Sequence, residues 1–148
     1  MTGIQGMTVA EPARRRIERA AGWAALLGGW LVTLFWVLYL TGLANLGQNE
    51  PELASFEQAF PVADAVWAAI LFTAGISLLN KRPAGAFCFV IAGSMSVYLG
   101  LLDLTFYARQ GFYTSLTAEA VTQLFVTGGC IGGGTLGLGL GWRLWRTQ

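Results

Sequence analysis

"PAGAFCFVIAGSMSVYLGLL", residues 83–102, runs without a single charged side chain between Lys81-Arg82 on one side and Asp103 on the other. A helix that crosses the roughly 30 Å hydrocarbon core of a bilayer needs about 20 predominantly apolar residues, so this run has the length of one crossing. Its neighbours repeat the pattern, because uncharged stretches also cover 20–49, 65–80 and 120–142. Charged residues make up only 11% of the 148 positions, against roughly a quarter in a soluble domain. The solvent for most of this chain is therefore lipid.

Only helices and closed barrels satisfy their own backbone hydrogen bonds in lipid. Barrel strands alternate in segments of about 10 residues, whereas these runs are longer and apolar on every side. The reading is an all-α, integral membrane four-helix bundle, a single domain with spans at about 20–46, 61–80, 84–107 and 118–142. Residues 1–19 form an N-terminal extension, in which Pro12 opens the first helix. Arg14, Arg15, Arg16 and Arg19 precede span one, Lys81 and Arg82 join spans two and three, and Arg143 and Arg146 follow span four. The other two loops hold a single base, Arg109. Such a bias predicts an antiparallel up-down-up-down path with both termini cytoplasmic, in a bacterial cytoplasmic (plasma) membrane, and argues against dual insertion. The first apolar run is too long for the 7–15 residues of a signal core and is read as an uncleaved helix.

The loops carry local signals. Asn80 suits a helix C-terminus and Pro83 the first turn of the next helix, so "NKRPAG" joins two adjacent helices. Ser55 and Gln58 have capping-box spacing, which predicts a short interfacial helix presenting Phe56 and Phe60. Trp23, Trp142 and Trp145 mark the cytoplasmic interface; Tyr107, Phe112 and Tyr113 mark the outer one.

Span four, "VTGGCIGGGTLGLGLGW", carries Gly129, Gly133, Gly137 and Gly141 at every fourth position. Small residues let helices approach closely in lipid, so this glycine zipper is expected to pack either within the bundle or as a homo-oligomer seam. Ala65, Ala69, Thr73 and Ser77 on span two, and Ala92, Ser96 and Gly100 on span three, form comparable stripes.

Asp103 is the least expected residue. It lies about 9 Å of helix rise before Arg109, at the negative pole of its helix and partly in hydrocarbon, and neither condition favours a carboxylate. It should have a polar partner. Candidates at the same depth are Asn45 beside Thr41, Asp64 and Trp67 at the start of span two, Tyr107 one turn on, Glu119 and Gln123 at the start of span four, and Arg109 as a counter-charge. Asp64 and Glu119 also have a purely structural explanation, since first-turn carboxylates are stabilised by the helix dipole. With glycines gathered toward the cytoplasmic half and polar groups toward the outer half, the expected shape is a cup open outward.

Several chemistries are excluded. The chain has no histidine, so bis-His haem, His-based zinc sites and Ser-His-Asp triads are absent. Cys88 and Cys130 differ in depth by roughly 12 Å and do not form a disulfide. Gly132-Gly133-Gly134 lacks the Lys-Ser/Thr of a phosphate loop. No cofactor, metal or nucleic-acid partner is expected. The outline resembles small multidrug exporters and four-helix sterol-isomerase-like proteins. The first resemblance implies a glutamate within span one and the second a histidine; this chain has neither, and no residue carries over.

Three functions stay open. The cup binds a small amphiphile, a cation or a proton, with oligomers acting as a transport unit; or the chain is a non-catalytic accessory subunit docking on a larger membrane complex through its glycines; or, least supported, it is an enzyme acting on lipid through Asp64, Asp103 and Glu119.

Overall fold

The computed structural model describes residues 11–43 and 51–147, and what it describes is all-helical. The elements are α1 (Glu11–Leu40), α2 (Pro51–Glu57), α3 (Pro61–Leu79), α4 (Ala84–Arg109) and α5 (Ala118–Arg146). All but α2 are long and apolar enough to cross a membrane.

Helix ends follow from local chemistry. After α1, Gly42 takes a left-handed conformation (φ 73°); its N–H donates to Tyr39 O, and the Leu43 N–H donates to Leu38 O at 2.9 Å. This six-to-one closure is the usual way a helix stops at a glycine. It ends the helix at Leu40, short of the expected 46, and Asn45 lies outside the described residues. Gly111 (φ 69°) closes α4 in the same manner, with Phe112 N–H bonded to Tyr107 O. Between α3 and α4 the left-handed residue is Lys81 (φ 56°), just past the C-cap Asn80. Thr117 caps α5 by accepting from Ala120 N–H at 3.1 Å. The short helix exists, but Pro51 opens it and Ser55 lies inside it, so Ser55 and Gln58 are not its capping box.

The long helices contact one another in the order α1–α3–α4–α5, while α1 and α5 meet only sparingly. Small residues set the close approaches. A Cβ on Gly75 would lie 2.8 Å from Gly22 O and 2.7 Å from Leu26 Cγ. A Cβ on Gly134 would lie 2.8 Å from Gly93 O and from Val97 N. One core, with Ala21, Ala25, Leu78, Ala86 and Leu144, draws all four long helices together where α1 begins and α5 ends. There Arg14 Nη1 also donates to Thr147 O at 2.7 Å. A second core, Trp36, Tyr39, Phe60 and Leu99, ties α1, α3 and α4 at the other end but includes nothing from α5.

The small-residue stripes divide. Ala92, Ser96 and Gly100 are buried, as α4 requires. Ala65, Ala69 and Thr73 are exposed; α3 packs instead through Ala68, Leu71, Ala74, Gly75, Ser77 and Leu78. On α5, Gly137 and Gly141 are buried, whereas Gly129 and Gly133 have no atom within 4 Å of a built Cβ. Gly134 and Gly137, not Gly129 and Gly133, complete the α4 contact.

Candidate functional site

Because α5 joins the first core but not the second, a cavity of about 540 Å³ opens between it and the other helices. Its lining runs from Phe89 to Asp103 along α4 and from Gln123 to Gly137 along α5, about 20 Å of helix rise on each. Leu31 on α1 and Phe125 on α5 line it yet are 56% and 78% exposed. They form the lips of a lateral mouth where α1 and α5 stand apart.

The polar groups collect at one end. Glu57 closes α2, Asp64 sits in the first turn of α3, Asp103 lies six residues before the end of α4, and Gln123 lies in the second turn of α5; all four line the cavity. No lysine or arginine lines it. The remaining walls are apolar, with Val32, Phe35, Leu71 and Leu99 among them, apart from Ser96, whose hydroxyl donates to Cys130 O at 2.8 Å.

Each carboxylate is treated differently. Glu57, 7% exposed, accepts a hydrogen bond from the Tyr107 hydroxyl. Burial pushes the Glu57 carboxyl above its ordinary 4.5; the Tyr107 bond opposes this and the nearby Asp64 charge adds to it. Asp64 Oδ2 accepts from Trp36 Nε1 at 2.8 Å. Asp103 has no hydrogen-bond or ion-pair partner among the described residues, and Gln123, 5% exposed, has no hydrogen bond for its amide. Alongside them, the Tyr113 and Thr127 hydroxyls approach each other, but both are sealed from solvent without a bond of good geometry. Burial also pushes the Tyr113 hydroxyl above 10.

The anchoring of this end is aromatic. Phe56 stacks on Phe106 with centroids 3.6 Å apart and meets Phe60 edge-on at 4.8 Å. Tyr107 packs against Phe56 and Phe112. These contacts fix α2 to α3 and α4 and hold Glu57 at the cavity. Trp67 lines the wall and donates from Nε1 to Ala92 O at 2.9 Å, which orients the indole but occupies its only donor.

The structure thus brings together Asp103, Asp64, Gln123 and Trp67 of the expected set, with Tyr107 immediately behind them. Tyr107 is 1% exposed and serves Glu57. It is neither an interfacial anchor nor the partner of Asp103. Glu119 is exposed and outside the cavity lining, as first-turn dipole stabilisation alone would place it. Arg109 is exposed and forms none of the salt bridges of the described residues, which join Arg14 to Glu18 and Arg15 to Glu11. Gly129 and Gly133 belong to the cavity wall. Glu57 and Trp36 are the members that the sequence did not single out. In the sequence Glu57 lies in the connection between the first two spans, and only its place between Phe56 and Phe60 hints that it is held inward.

No protein-family model, curated protein or solved structure matches this chain.

Proposed function

We propose that the chain is a multi-pass, antiparallel four-helix membrane protein whose acid-lined cavity binds an organic cation on the extracytoplasmic side. The observation that carries this reading is the convergence of Glu57, Asp64 and Asp103 from three helices on one cavity that no basic residue lines. Burying one unpaired carboxylate is costly, and grouping three without a counter-ion raises that cost. A bound cation offsets both. Among the described residues no three acidic or thiol groups stand close enough to hold a metal ion together, so a diffuse organic charge fits the spacing better than a point charge. Apolar walls around that charge favour a cation with a greasy body.

Tetraphenylphosphonium binding to the purified protein in neutral-lipid nanodiscs tests this, with empty nanodiscs as the blank. Asp103→Asn should weaken binding by about tenfold or more while helicity by circular dichroism stays unchanged. Binding should also weaken as pH falls, because protonation discharges the carboxylates. Equal binding by wild type and Asp103→Asn would overturn the proposal.

A further inference from the structure

The cavity is long, laterally open and lined by carboxylates at one end only. Its carboxylates and Gln123 mark that end; from there the apolar floor of α3 and α4 runs along Leu99, Leu71 and Phe89 toward the core that joins all four long helices. The run of about 20 Å along α4 is comparable to the ~15 Å that one leaflet contributes to the hydrocarbon core. Gly129 and Gly133 leave the α5 wall bare: a Cβ built on either meets nothing within 4 Å, although both line the cavity. Glycine in a helix interior is unfavourable, and here it packs against no neighbour. What it does provide is a smooth wall on which a chain can lie.

We infer that this groove takes a single-tailed cationic amphiphile from the surrounding lipid, its ammonium-type head among Asp103, Asp64 and Glu57 and its alkyl tail laid between α1 and α5 along Gly129 and Gly133. The inference rests on the cation-binding reading above and adds the tail and the lateral route. Gln123 is the independent sign that a ligand completes the head site: 95% buried, facing the cavity, its amide has no hydrogen-bond partner among the described residues. A headgroup carrying a hydroxyl or an N–H would satisfy it. The lips Leu31 and Phe125 are 56% and 78% exposed, and α1 and α5 meet only sparingly, so entry needs rotamer changes and little separation of packed helices.

A dodecylammonium analogue with a diazirine at the tail terminus tests the placement, by photolysis in nanodiscs and peptide mapping. Adducts should concentrate on Ala24–Val32 and Gly129–Gly137, and fall at least tenfold with excess unlabelled dodecylammonium. Asp103→Asn should reduce them at least fivefold. Gly133→Leu, which fills the wall, should remove the tail adducts. Adducts spread over outward-facing residues such as Leu34 and Val37, insensitive to competitor, would overturn the tail groove. If tetraphenylphosphonium binding still depended on Asp103, the cation site would survive that result; if it did not, both would fall.

Discussion

Glu57 and Tyr107 form a buried polar pair at the candidate site, and their environment dictates how the protein should respond to pH. The Glu57 carboxyl titrates above 4.5 in the folded protein because burial disfavours its charge. The native state therefore holds this proton at pH values where the unfolded chain has released it, and stability falls as pH rises from about the ordinary value through the raised one. Glu57→Gln should flatten that slope, since the amide is neutral and still accepts from the Tyr107 hydroxyl. Tyr107→Phe should act in the opposite sense: it removes the hydrogen bond that favours the charged form and leaves a buried carboxylate unserved, at a cost of about 1.5–3 kcal/mol above the transition. Thermal midpoints across pH 4 to 8, followed by tryptophan fluorescence, should show the two variants diverging as pH rises. Parallel curves for wild type and Glu57→Gln would mean that Glu57 is not the titrating group.

At the scale of elements, glycine serves two purposes on α5 that the sequence pattern does not distinguish. A spacing of four residues advances about 40° beyond a full turn at each step. The stripe from Gly129 to Gly141 therefore swings about 120° around the helix, from the cavity wall to the α4 contact. It is not one packing face: Gly137 and Gly141 are buried while Gly129 and Gly133 meet no neighbour, and the exposed Ala65, Ala69 and Thr73 show the same drift on α3. The consequence is measurable. Gly134→Ala places a methyl 2.8 Å from the Gly93 carbonyl oxygen and should destabilise by about 1–3 kcal/mol, because backbone cannot yield as a side chain does. Gly133→Ala meets nothing and should be neutral or stabilising by up to about 1 kcal/mol through helix propensity. Reversible unfolding in mixed micelles should order the pair in that way; equal effects would mean that α4 and α5 do not pack through Gly134. Helix boundaries were legible wherever a breaker met a charge, as at Lys81-Arg82-Pro83. The end of α1 was not, because Gly42 sits in an apolar run and reads as one more small span residue.

At the scale of the whole molecule, what the sequence disclosed was an all-helical chain with four helices long and apolar enough to cross a membrane. It did not disclose that α5 would stand off from α1, because that depends on which faces pack and not on composition. Sidedness remains a physical prediction. Arg14 of α1 bonds to Thr147 just past α5, so the first and last long helices share an end, and four crossings would require the same. The basic residues before α1, between α3 and α4 and after α5 then mark the cytoplasmic side. With Cys88 and Cys130 replaced by alanine, a membrane-impermeant maleimide applied to intact cells should label Ser115→Cys, in the exposed connection between α4 and α5, and spare Asn80→Cys until the membrane is opened. The reverse pattern would place the carboxylates of the cavity on the cytoplasmic side. The head site would then draw cations from the cell interior, and an extracytoplasmic binding protein would become an intracellular one with the same groove.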